Sequence, residues 1–167
     1  GGPAMTAPSP ILFACIDPGI AGAVGLVDHA GRFAGVEDMP VLPTTTGRKQ
    51  IDPAGLAAIL RQHRPAFVLV ERVGPRPGEG AVGGFGFGHS FGCILGVLGA
   101  LELPHDLIQP AVWKRRAGIP AGSDKAVSVA TAKRTLPHAA AHLTRVKDDG
   151  RAEALLLALQ AWQARQR

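Results

Sequence analysis

Ile11-Leu12-Phe13-Ala14-Cys15-Ile16-Asp17-Pro18-Gly19 decides how the rest of the chain is read. An apolar run delivers one carboxylate and then turns at once on Pro-Gly, the pattern of a buried strand bounded by breakers. A strand buried on both faces has no water for a charge, so a carboxylate in such a run sits at the strand's end and binds something. A lone aspartate there also serves as a turn residue through its own side chain. Recurrence favours the first reading. Ala66-Phe67-Val68-Leu69-Val70-Glu71 is again an apolar, β-branched run that ends on an acid, with Gly-Pro shortly after.

Between these two runs, residues 21–27 and 32–37 read as a second and third strand joined by the turn Asp28-His29-Ala30-Gly31. Three strands with short connections make an antiparallel meander. Residues 40–49, with Pro, Thr and Gly, read as a linker. Asp52-Pro53 then opens a helix, Asp as N-cap and Pro at the first helical position. Leu56, Ile59 and Leu60 share a face, and the helix stops before Pro65. A helix between the third and fourth strands is a crossover, which lays the fourth strand parallel to the first. Asp17 and Glu71 then stand at the same carboxyl-terminal edge, where open α/β sheets bind their ligands. A surface pairing of Glu71 with Arg72 is the plain alternative.

Residues 74–92 hold eight glycines, Arg76, His89 and the phenylalanines Phe85, Phe87 and Phe91. They are expected to form a mobile loop whose backbone approaches a ligand closely. Aromatic rings among glycines near a basic site stack on bases, or else fold onto the core. Gly78-Glu79-Gly80-Ala81-Val82-Gly83 matches the dinucleotide pattern, but Pro75 and Pro77 separate it from the strand it would need to follow. No Gly-Lys-Ser/Thr follows any glycine loop, so no nucleotide cofactor is expected.

A helix is expected over 90–102, where Gly92, Gly96 and Ala100 allow a second helix to pack closely, in the core or across a dimer. The unbroken apolar run from Phe91 to Leu101 is too short for the roughly 20 residues that span a bilayer. A short fifth strand follows at 106–109 and a short helix at 111–116 with the cations Lys114, Arg115 and Arg116. A helix over 124–136 carries Lys125, Lys133 and Arg134. Solvated faces are the default for such lysines. Lys147-Asp148-Asp149-Gly150-Arg151-Ala152-Glu153 leads into an apolar helix over 154–162. Asp149 and Glu153 are four apart and share a face, where like charges repel unless a cation lies between them. One aspartate serves as an N-cap, which leaves the other carboxylates unexplained.

The frame agrees. The chain has 167 residues, 46% hydrophobic and 19% charged, which suits one packed domain. Lys plus Arg is 18 against 13 for Asp plus Glu, net +5, an excess that favours polyanionic partners such as nucleic acid. Cys15 and Cys93 lie far apart within apolar runs, which suggests buried thiols in a reducing compartment rather than zinc ligands or a disulfide. Gly1 to Ala4, ahead of Met5, read as a cloning scar with no secretory signal, and the first ten residues as a flexible N-terminus.

Four acids converging would repel strongly unless divalent cations neutralise them. Oxygen-only ligands suit Mg2+ or Mn2+. Two such ions about 4 Å apart clamp the attacking and leaving oxygens of an in-line phosphoryl displacement, and a nearby lysine polarises the phosphate.

Ile16-Asp17-Pro18-Gly19, Val70-Glu71-Arg72-Val73, the Gly/Phe-rich stretch, Pro110-Ala111-Val112-Trp113-Lys114, Ser123-Asp124-Lys125 and Asp149-Gly150-Arg151-Ala152-Glu153-Ala154 occur in that order. Together they resemble the RuvC-like Holliday junction resolvases of the ribonuclease H-like superfamily, over residues 11–159. The resemblance implies an α/β fold with a five-stranded mixed sheet, an antiparallel meander plus parallel strands, flanked by helices. Residues 11–164 would form a single nuclease domain. It implies a homodimer that nicks opposed strands of a four-way DNA junction, with two Mg2+ or Mn2+ per site held by Asp17, Glu71, Asp149 and Glu153. Lys114 would act at the scissile phosphate. Arg72, Arg76, Phe85, Phe87, His89, Arg115, Arg116, Lys125 and Lys133 would contact DNA. The cytoplasm of a bacterial or phage-infected cell, alongside the nucleoid, is the expected location.

The familiar bacterial form has its last two acids three apart, both Asp. Three before Glu153 is Gly150, so this chain looks more like the phage and organellar branch. The ligand is then Asp148 or Asp149. The shared face favours Asp149, with Asp148 as a cap or an outer partner. Rival readings are a two-metal nuclease acting on flaps or RNA–DNA hybrids, a non-catalytic junction binder, and an actin-like nucleotide-binding protein, whose fold usually needs two such domains.

Overall fold

The structure is a computed structural model that describes residues 9–166. The expectations for residues 1–8 lie outside the described residues. Strand β1 (Leu12–Ile16) is buried along its whole length, as an unbroken apolar run between two layers requires. It pairs antiparallel with β2 (Ala23–Asp28), which pairs antiparallel with β3 (Phe33–Asp38). A two-stranded ribbon follows, β4 (Val41–Pro43) against β5 (Lys49–Ile51). The residues read as a linker thus form a hairpin, closed by a bond from Thr44 N–H to the Arg48 carbonyl, with Gly47 at φ +78° supplying the turn.

Helix α1 (Pro53–His63) is capped as its sequence predicts: the Asp52 carboxylate accepts from the Ala54 N–H at 3.0 Å, and Arg64 closes the helix in the left-handed region at φ 46°. Strand β6 (Phe67–Glu71) runs parallel to β1, with Ile16 opposite Val70. Helix α2 (Ala81–Ala100) is longer than expected, because its first three turns are drawn from the stretch read as a mobile loop. Seven glycines disfavour that helix. Its inner side compensates, since Ser90, Ile94 and Leu98 are buried and Phe91 packs on the core. By length and composition alone α2 could cross a bilayer, which removes the length argument made from residues 91–101; its buried residues share the core with the sheet. Cys93 is only half-buried, unlike the buried Cys15.

Strand β7 (His105–Ile108) pairs parallel with β6 and completes a five-stranded mixed sheet in the order β3-β2-β1-β6-β7. Helices α3 (Pro110–Arg116) and α4 (Lys125–Thr135), a 3-10 helix (Pro137–His142) that the sequence did not suggest, and α5 (Asp149–Ala164) follow.

The sheet divides two apolar layers. Leu12, Ala14 and Ile16 face α1 and α2, while Phe13 and Cys15 face α3, α4 and α5. This alternation is the period of two that a strand imposes. Helix α5 crosses β1 and β2 so closely that its backbone touches the sheet. A Cβ on Gly25 would lie 2.5 Å from the Ala154 carbonyl carbon, and one on Gly150 would overlap the Ala21 carbonyl oxygen. The glycines are therefore the reason that the acidic start of α5 reaches the edge where β1 ends.

A Gly25→Ala substitution should destabilise the protein by about 1–3 kcal/mol, because backbone on both sides cannot retreat. Gly86→Ala, where a Cβ meets open space on α2, should instead be neutral or stabilising by up to about 1 kcal/mol. Urea unfolding of both variants checks this, and equal effects would contradict the close-packing account.

Candidate active site

Parallel pairing of β1 and β6 fixes two acids side by side. The register ends at Ile16 opposite Val70, so the next residues along are Asp17 and Glu71. The chain holds Asp17 in place through its own backbone: its N–H donates to the Ala23 carbonyl, and its carbonyl accepts from Gly19 N–H, both at 3.0 Å. Asp149 opens α5 and Glu153 follows one turn later. All four carboxylates line one cleft of about 630 Å³, with Lys114, Lys125, Arg76, Phe87 and Ser128 on the same walls.

Among the described residues each of the four acids except Asp17 has a side-chain partner. The Trp113 indole N–H donates to Glu71 Oε2. Ser128 Oγ donates to Glu153 Oε1 at 3.3 Å, and Lys114 Nζ stands 3.5 Å from the same oxygen. Lys125 Nζ is 2.9 Å from Asp149 Oδ2. Burial, then the neighbouring Glu71, Glu153 and Asp149 carboxylates, push Asp17 up to about 8. Burial also raises Glu71, against the lowering effect of the Trp113 bond. A carboxylate pushed that far marks a place where negative charge is in excess and a cation is favoured. The donors are all hard oxygens, which fits Mg2+ or Mn2+. Among the described residues no three acidic, histidine or cysteine side chains are drawn together into a ready coordination sphere.

The structure separates the two adjacent aspartates. Asp149 faces the cleft. Asp148 occupies the N-cap position of α5, and its carbonyl accepts from the Ala152 N–H, but its side chain makes no cap hydrogen bond, contrary to the cap reading. It is buried elsewhere and accepts from Arg145 N and Nε, each at 2.7 Å. Arg145 also grips Asp38 with two bonds of 3.0 and 2.9 Å, and Arg151 Nε reaches Asp38 at 2.7 Å. This network ties the start of α5 to the end of β3. None of Asp38, Arg145 and Arg151 stood out in the sequence, because nothing local pairs residue 38 with residue 145.

The expected DNA contacts divide. Arg76 lies on the cleft with its guanidinium 4.7 Å from the centre of the Phe87 ring. Phe85 is 78% exposed and does not line the cleft. Arg115 lines an adjoining pocket of about 620 Å³ that shares Lys114, Ile119, Pro120 and Ala121 with the cleft. Arg72, His89 and Lys133 are exposed outside it, and Arg116 lines a separate pocket near Gln160. Trp113 and Ser128 were not singled out as site residues. The available signal was position: Trp113 precedes Lys114, and Ser128 lies three after Lys125 on one helix face.

No protein-family model matches the chain, and no curated protein matches it. Solved structures do. RuvC of Thermus thermophilus in complex with a Holliday junction substrate superposes with a TM-score of 0.64 at 21% identity, covering 93% of this chain and 96% of that one. A second Thermus thermophilus RuvC structure gives 0.56 at the same identity and coverage. The yeast mitochondrial Holliday junction resolvase Ydc2 gives 0.45 at 16%, covering 93% of this chain and 79% of that one. The chain has a ribonuclease H-like fold. Its five-stranded mixed sheet flanked by helices matches the fold of RuvC.

The raised Asp17 sets a pH signature. Below its unfolded value near 3.9 the group is protonated in both states, and its favourable contribution is complete. As pH rises towards about 8, the unfolded chain gives up this proton first and the contribution is lost. In metal-free buffer, Asp17→Asn should therefore melt higher than wild type at pH 8, with the difference shrinking towards pH 4. Thermal melts in chelator across that range test it, and a difference independent of pH would contradict the assignment.

Proposed function

We propose that the chain is a metal-dependent endodeoxyribonuclease that resolves four-way DNA junctions by paired, symmetric hydrolysis. The observation that carries this reading is the meeting of Asp17, Glu71, Asp149 and Glu153 in one cleft of a RuvC-type fold. The complex of Thermus thermophilus RuvC with a Holliday junction substrate supports junction DNA as the partner here.

Asp17, Glu71, Asp149 and Glu153 would hold two Mg2+ or Mn2+ ions, which when bound supply Lewis-acid activation of water and of the leaving oxygen. The chain's own residues bind and orient the substrate. Lys114 lies on the cleft wall between the acids and the surface, where it meets a phosphate oxygen as charge develops. Lys125, 80% exposed and 2.9 Å from Asp149 Oδ2, is placed at the cleft mouth where it would contact the DNA backbone. Arg76 on the cleft and Arg115 in the adjoining pocket extend the positive surface, and Phe87, with Arg76 over its ring, stands on the same wall as a candidate for base stacking.

A two-fold substrate calls for a two-fold protein. Helix α2 offers the surface: Val82 and Phe85 are exposed at one end, and the space over Gly92, Gly96 and Gly99 is open. No Asp, Glu, Lys or Arg lies on it. Two such helices would approach backbone to backbone and bury apolar area without desolvating charge.

Labelled four-way junction, flap and RNA–DNA hybrid, each with Mg2+ or Mn2+, distinguish the readings. Paired nicks confined to the junction are expected. Asp17→Asn should lose more than the roughly 100-fold that removal of an outer metal partner costs, while still binding the junction. Gly96→Glu should give a monomer that no longer makes paired cuts, seen by light scattering and strand-resolved gels. Preference for hybrids would move the assignment to another nuclease. Tight junction binding without cleavage in either metal would leave only a binder.

A further inference from the structure

We infer that Trp113 and Ser128 are positioning residues: the indole N–H and the hydroxyl each hold one oxygen of Glu71 and Glu153 and turn the other oxygen towards the cleft. The inference rests on the reading of the cleft as a divalent-metal site.

Strand and helix backbones fix where Glu71 and Glu153 begin, but a glutamate has three further rotatable bonds. An ion needs oxygens at set distances and directions, so the carboxylate plane must also be fixed. Trp113 Nε1 takes Glu71 Oε2, and Ser128 Oγ takes Glu153 Oε1. Among the described residues no hydrogen bond reaches Glu71 Oε1 or Glu153 Oε2. Both donors are fixed by burial, Trp113 at 0% and Ser128 at 3% exposure. Trp113 is packed in the core layer shared with α5, so its ring cannot follow a wandering carboxylate.

Neutrality matters. Lys114 and Lys125 also touch the acids, but an ammonium competes with a divalent cation for the same charge. An indole N–H or a hydroxyl orients a carboxylate and leaves it its full charge. The two kinds of donor come in pairs from the same helices. Trp113 and Lys114 are neighbours on α3, and Lys125 and Ser128 are three apart on α4. Each helix thus brings one neutral donor and one cation to the acids.

The chain suits an optical test, having two tryptophans and no tyrosine. In a Trp162→Phe background the remaining emission belongs to Trp113. Titrating Mn2+ into the chelator-treated full chain should quench it saturably, and adding Glu71→Gln should abolish the quench. Calorimetry should show Mn2+ binding weakened about 10-fold in Ser128→Ala and restored in Ser128→Thr, with metal-free melting and metal-free junction binding unchanged. Trp113→Phe should weaken Mn2+ binding similarly, and if it does not fold the serine pair still decides. An unquenched Trp113 in a protein that binds Mn2+ by calorimetry, or Ser128→Ala binding Mn2+ as wild type does, would overturn the inference. Wild type that binds no Mn2+ at all would overturn the proposed nuclease as well.

Discussion

Backbone contact between α5 and the sheet at Gly25 is the constraint on which the cleft depends. Helices on sheets usually stand off by the length of their side chains. Here the Ala154 backbone rests on β2 because residue 25 has no Cβ, and the first turn of α5 settles on Ala21 because residue 150 has none. Everything at the start of α5 is drawn inward by that distance. Asp149 and Glu153 therefore reach the edge at which β1 and β6 deliver Asp17 and Glu71. The same contact explains why residue 150 carries no acid: any side chain there would meet the Ala21 carbonyl.

Close approach creates an electrostatic problem, and the surrounding residues answer it in two ways. Lys114 and Lys125 offset charge directly. The Asp38, Arg145, Asp148 and Arg151 network joins the end of β3 to the start of α5 and anchors the helix start against the repulsion of the acids. Asp38 is held well below the usual carboxylate range by its bonds to Arg145 and Arg151, and in Asp148, where burial acts to raise it, the bonds from the Arg145 backbone N–H and guanidinium leave it lowered. One group of carboxylates is thus fully paired and structural, whereas Asp17 is left with an excess of negative neighbours. Adjacent residues, Asp148 and Asp149, fall on opposite sides of that division.

Helix α2 shows where local rules gave way. Glycine-rich sequence from 81 to 92 argues for a loop, and in isolation such a helix would be unstable. Burial of Ile94 and Leu98, with Phe91 on the core, supplies what the glycines withhold. The outcome is a helix with one packed side and one bare side, a shape that neither a loop nor an ordinary amphipathic helix provides. The ribbon at β4 and β5 is a smaller case, since three-residue strands carry too little periodicity to read.

What the residues determined alone was order along the chain and one edge of the sheet. Apolar runs that end in an acid fixed β1, β6 and the side by side placement of Asp17 and Glu71, because strand period and crossover handedness leave few alternatives. Spacing of four put Asp149 and Glu153 on one face. What only the tertiary structure decided were contacts between distant elements: the indole of Trp113 on Glu71, Ser128 on Glu153, and Arg145 and Arg151 on Asp38. Such pairs depend on how far one helix sinks towards a sheet, a distance set by packing across the whole core and absent from any local pattern.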